Sequence, residues 1–87
     1  MNATPAYLKN TLRSLRVRLG YSQKKAAGIL GVDPNTLRRW EENSSNIPQK
    51  RVWEIERIYC TPQDFIFFGQ ESAFSEMLKG QALPNGK

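Results

Sequence analysis

The chain has 87 residues, a single cysteine and no histidine. That is the length of one domain, and it excludes a disulfide framework, a cysteine metal site, and the commonest general base and transition-metal ligand. Thirteen Lys and Arg against eight Asp and Glu give a formal charge of +5, so the partner to consider first is an anion.

The excess is local. Lys9, Arg13, Arg16, Arg18, Lys24, Lys25, Arg38 and Arg39 stand between Lys9 and Trp40, with Asp33 as the one acid. A stretch this one-sided suits a polyanion, with a solvated charged face as the plainer alternative. No window approaches the ~20 apolar residues of a membrane span, and the N-terminus lacks the apolar core of a signal peptide. The expected setting is therefore a reducing cytoplasm, with no membrane contact, no metal and no cofactor.

In chain order, residues 1–7 read as a flexible N-terminus, residues 8–69 as the folded domain and residues 70–87 as a C-terminal tail with room for a short helix. Leu8, Leu12, Leu15 and Leu19 recur at helical spacing, and Gly20 stops that helix. Ser22 caps a second helix over Gln23 to Leu30, with small Ala26 and Ala27 inside it. Gly28 weakens that helix by roughly 1 kcal/mol relative to alanine, which suggests a close helix contact there.

Gly31 ends the second helix, Asp33 caps the third, and Pro34 takes a first position where its missing N–H costs nothing. Leu37 and Trp40 face inward on this third helix, which leaves Asn35, Arg38 and Arg39 on its outer faces. A polar loop over residues 43–48 leads to a fourth helix, about Gln49 to Tyr59, with Val52, Ile55, Ile58 and Tyr59 inward and Trp53 also assigned to the core. Thr61-Pro62 then opens a short fifth helix through Phe65 to about Phe68, closed by Gly69. No strand pattern of useful length appears, so the fold class is all-α.

The run SQKKAAGILGVDPNTLRRWEE at residues 22–42 carries most of the information. Ala27 lets two helices approach, Gly31 permits a sharp turn, Val32 fills the angle between them and Leu37 anchors the second of the pair. The start of the third helix then projects outward, shaped for a major groove about 12 Å wide. With Leu19-Gly20, Ser22-Gln23, Thr36-Leu37, Trp40-Glu41, Pro48 and Thr61-Pro62-Gln63-Asp64-Phe65, this run resembles the phage-repressor and Cro type of helix-turn-helix domain, the XRE-like family. Two departures stand out: Ala26 where the family often has leucine, and Glu41-Glu42-Asn43 where Glu-Asn-Gly often closes the third helix.

The resemblance implies a five-helix domain with its helix-turn-helix at helices 2 and 3, binding double-stranded operator DNA as a homodimer to regulate transcription in a bacterial or phage setting. It also implies an ion pair between Arg16 and Glu41, and a phosphate contact from Gln23. On the outer face of the third helix, Asn35, Thr36 and Arg39 are the candidates for base contacts; Asn35 and Arg39, four residues apart, share that face. Ser22, Lys24 and Arg38, with Asn46, Lys50 and Arg51 further on, are candidates for phosphate. Four successive apolar residues on a short helix cannot all face one core, so Ile66 and Phe68 are the expected dimer contact. Two other readings share the same motif: an antitoxin that also holds a toxin partner, and a MerR- or excisionase-type module in which a β-wing follows the helix-turn-helix.

Overall fold

The computed structural model describes residues 4–82. Five α-helices account for most of it: α1 (Leu12–Arg18), α2 (Gln23–Leu30), α3 (Pro34–Glu42), α4 (Gln49–Ile58) and α5 (Glu71–Ala82). Single 3-10 turns lie at Ala6–Leu8 and Gln63–Phe65. The only strand-like pairings among the described residues are two isolated bridges, Asn10 with Ile66 and Asn43 with Gln70.

The first helix is shorter than the leucine spacing predicts. Thr11 caps it, its hydroxyl accepting the Ser14 N–H at 3.1 Å, while the Ser14 hydroxyl donates back to the Thr11 carbonyl at 2.9 Å. A threonine with both groups engaged in this way holds extended backbone angles, and the chain before it cannot continue the helix. Leu12 and Leu15 are accordingly buried, whereas Leu8 and Leu19 are half exposed. Ala6, assigned to a flexible N-terminus, is buried in a turn that packs against α5. Residues 1–3 and 83–87, including Pro84 and Gly86 of the tail, lie outside the described residues.

Three helices end on one device. At the close of α2, Gly31 takes φ of 74°, its N–H returns to the Gly28 carbonyl, and the Val32 N–H reaches the Ala27 carbonyl at 3.0 Å. This is the Schellman closure, which uses up carbonyls that the helix end would leave unpaired. Gly20 closes α1 in the same way, and Cys60 does so for α4 at φ of 53°.

The core gathers Leu12, Leu15, Ala26, Ala27, Leu30, Leu37, Ile55, Tyr59 and Ile66, with Val32, Trp40 and Phe68 packed at its edge. Ala26, where the family often carries leucine, is fully buried within the core cluster. Trp53, assigned to the core, is 56% exposed. It immediately follows Val52, which the helix turns inward.

The fifth helix expected over Thr61 to Phe68 is a correction. Only the Gln63–Phe65 turn forms, and the chain then runs extended. Asn10 determines this: its N–H donates to the Phe65 carbonyl at 2.8 Å and its carbonyl accepts the Phe67 N–H at 2.8 Å. Extended backbone sends neighbouring side chains to opposite sides, so Ile66 goes into the core while Phe65 stays 40% exposed. The expected dimer contact at Ile66 is therefore corrected as well. That side chain is 1% exposed, and Phe68 packs against the core.

The true fifth helix lies in the tail. Phe67 and Phe74 pack ring to ring, centroids 4.6 Å apart, and anchor α5. Gly69 permits the approach, because a Cβ there would come within 2.8 Å of the Phe67 ring. Gly28 has no such role: a Cβ would meet nothing within 4 Å, so the expected close contact is absent.

Tyr59 puts a phenol into the core, and its hydroxyl has no hydrogen-bond partner among the described residues. Burial, with the Glu41 charge nearby, pushes its pKa up to about 12. The tyrosine of an unfolded chain loses its proton near pH 10. Above that pH the unfolded state binds fewer protons than the folded one, so stability falls as pH rises from about 10 to about 12. Tyr59→Phe should remove most of that alkaline loss and leave stability at pH 7 equal or slightly higher. Urea melts of both proteins at pH 7 and pH 11 check this; an equal alkaline loss in the two would contradict it.

Candidate nucleic-acid interface

The interface is built from the starts of α2 and α3. Ser22 caps α2, its hydroxyl accepting the Lys25 N–H at 3.0 Å, and Asp33 caps α3, its carboxylate accepting the Asn35 N–H at 2.7 Å. At α2 the cap leaves the Gln23 and Lys24 N–H groups without an acceptor among the described residues, and the positive helix end favours an anion there. At α3 Pro34 has no N–H, and Asp33 takes those of Asn35 and Thr36. Lys24 and Lys25 are exposed beside the Ser22 cap. A shallow hollow lined by these lysines, Ser22 and Ile29 opens over Gly28, where a side chain is missing.

Glu41 holds the two helices in place. Its side chain is fully buried, with Arg16 Nε at 2.6 Å from Oε2 and Arg16 Nη2 at 3.2 Å from Oε1. Gln23 Nε2 donates to the same Oε1 at 3.0 Å, and Arg16 Nη1 donates to the Tyr21 carbonyl at 2.9 Å. One carboxylate at the end of α3 thus joins α1, the α1–α2 turn and the first residue of α2. The hydrogen bond to Glu41 raises the Arg16 pKa above its ordinary value, against the opposing effect of burial. From the other side, Arg51 of α4 donates to the Leu30 carbonyl at 2.9 Å and pairs with Glu54 at 2.8 Å. That places Arg51 on the last turn of α2, as a brace for the turn between the helices.

On the outer face of α3 the side chains also meet one another. Arg38, not Arg39, reaches Asn35, with Nη2 3.4 Å from Oδ1, and its Nη1 is 4.0 Å from Glu42. Arg39 instead leans toward the Thr36 hydroxyl at 3.5 Å. Among the described residues no carboxylate lies within ion-pair reach of Arg39, Lys24 or Lys25. Asn35, Arg38 and Arg39 are exposed and Thr36 is half-buried. Asn46 and Lys50 are exposed in the loop and in the first turn of α4, and no hydrogen bond joins them to α2 or α3 among the described residues.

The spacing marks Arg51 only as a candidate for phosphate, and it does not mark Ser44. Arg51 has a local signal, Glu54 three residues on, but its bond to α2 is long-range. Ser44 is buried, and its hydroxyl accepts the Gly69 N–H at 2.9 Å, tying the end of α3 to the start of α5. Among the described residues no group of side chains is placed to hold a metal ion, and no helix is long and apolar enough to cross a membrane.

Two short helices joined through a left-handed glycine, the second capped so that its polar face is free, define a helix-turn-helix DNA-binding domain. Residues 12–59 match the Helix-turn-helix family model, and the chain belongs to that family, in its XRE-like, phage-repressor and Cro type. Its members are sequence-specific DNA-binding regulators of transcription, and this chain is one in that general sense. No curated protein matches it. The winged-helix alternative is set aside by architecture: α1 precedes the motif, α4 follows it, and no β-wing occurs among the described residues.

Proposed function

We propose that the chain binds a palindromic operator as a dimer and acts as a repressor or Cro-like regulator, in the cytoplasm of a bacterium or of a phage-infected one. Asn35, Thr36 and Arg39 read base edges, while Ser22, Gln23, Lys24, Arg38, Asn46 and Lys50 meet the backbone. The observation that carries this reading is the outer face of α3, where Arg39 stands exposed and free of any carboxylate partner beside the uncovered start of α2. Selection of bound DNA from a random pool tests it. A recovered two-fold symmetric consensus is expected, and a pool no different from the input would refute it.

A single recognition helix reads too few base pairs to find a site in a genome, which is why two copies are needed, their half-sites about 34 Å apart. With Ile66 buried, Trp53 and Phe65 become the candidate contact. Glu56 Oε2 accepts the Gln63 N–H at 2.6 Å. That bond fastens the turn carrying Phe65 to α4 one helical turn beyond Trp53. The variant Trp53→Asp, Phe65→Asp should bind operator as a monomer, with affinity reduced at least tenfold. Sedimentation of the protein–operator complex checks the stoichiometry. A fully dimeric complex of the variant would place the interface elsewhere.

A further inference from the structure

A second arginine crowds the Glu41 carboxylate. Arg13 of α1 has Nε 3.9 Å from Glu41 Oε1, the oxygen that also accepts Gln23 Nε2 at 3.0 Å and Arg16 Nη2 at 3.2 Å. The two arginines differ in what else they can do. Arg16 is 11% exposed and engaged by Glu41 and the Tyr21 carbonyl, whereas Arg13 is 51% exposed. Its guanidinium instead meets Glu71, the first residue of α5, at 3.2 Å.

We infer that Arg13 is a phosphate ligand of the DNA interface, held in reserve by Glu71 in the free protein. The inference rests on the DNA-binding reading above and adds a residue to it. Sharing one oxygen with Gln23 places the Arg13 guanidinium beside the first turn of α2, where uncovered N–H groups and Lys24 favour an anion. Glu41 is fully committed to Arg16 and Gln23, so Arg13 retains a surplus of positive charge that only the partly exposed Glu71 answers. The planar fork of a guanidinium suits phosphate as well as carboxylate, since either accepts two N–H groups in parallel, and the 51% exposure of Arg13 leaves it open to an incoming anion. In a duplex complex Arg13 exchanges Glu71 for phosphate, and Glu71 therefore acts as a brake on affinity.

The two partners should respond with opposite signs. Arg13→Gln should weaken binding about five- to tenfold on operator and on unrelated duplex alike, and flatten the slope of log K against log salt by about 0.9. Arg13→Lys should restore the slope. Glu71→Gln should tighten binding about two- to threefold on both DNAs. Fluorescence titrations with full-length chain at four salt concentrations read all of these, and thermal melts of each variant report folding. A pair that merely fastens α5 would give weaker or unchanged binding for Glu71→Gln, and that outcome overturns the inference. So does an unchanged salt slope for Arg13→Gln or a lowered one for Arg13→Lys. If the unaltered chain binds neither DNA, the DNA-binding reading itself fails and this inference falls with it.

Discussion

Arg16→Ala should lower the stability of the domain by about 3 kcal/mol, because it leaves the Glu41 carboxylate buried without its principal partner. The carboxylate is fully buried, and of its close donors only Gln23 would remain, with Arg13 at 3.9 Å. In a domain of this size the melting temperature should fall by about 4–8 °C for each kcal/mol. A paired change to apolar residues of similar size, Arg16→Met with Glu41→Leu, should recover much of the loss, since it removes the buried charge along with its partner. The double variant should still bind DNA more weakly, because Gln23 loses the oxygen that orients it. Calorimetric melts of the three proteins decide the matter; an Arg16→Ala protein with an unchanged melting temperature would show the pair to be inert.

Arg39→Ala should cost about 1–3 kcal/mol on the preferred operator, and the loss should be confined to particular base pairs. The residue has no carboxylate to leave behind and only a long contact to Thr36, so little internal structure is lost with it. Lys24→Ala is the contrasting case. It should weaken binding to every sequence alike and reduce the salt slope by about one charge. Titration of Arg39→Ala against single-base operator variants at two salt concentrations separates these behaviours. A uniform loss with a flatter slope would make Arg39 a phosphate clamp and shift specificity to DNA shape.

What could be read from the sequence follows the range of the interactions. The caps at Ser22 and Asp33, the stop at Gly31 and the inward face of Leu37 depend on residues at most five apart, so the spacing of the motif carried them. The length of the first helix did not follow from leucine spacing, since Thr11 and its reciprocal bonds with Ser14 outrank an apolar stripe in setting where a helix begins. The Phe65 to Phe68 run has the hydrophobicity of a buried helix. It is extended because Asn10, 55 residues from Phe65, supplies the backbone partners. That choice buries Ile66 and leaves Phe65 40% exposed. On the candidate site, Asn35 and Arg39 are both exposed, and Arg38 adds a contact to Asn35 that the spacing did not include, because the three-residue neighbour also lies within the sweep of a long side chain.

One stop in this chain is made with the wrong residue for the task. Cys60 holds a left-handed angle that glycine adopts freely and that an ordinary side chain adopts at a cost of about 1 kcal/mol. The site belongs to the end of α4, outside the outer face of α3. Substitutions on α3 that re-aim the protein at a new operator mostly subtract stability. A change from cysteine to glycine at residue 60 offsets one such loss without touching a group that faces DNA. The stability available to the recognition helix thus depends partly on a dihedral angle in the turn after α4.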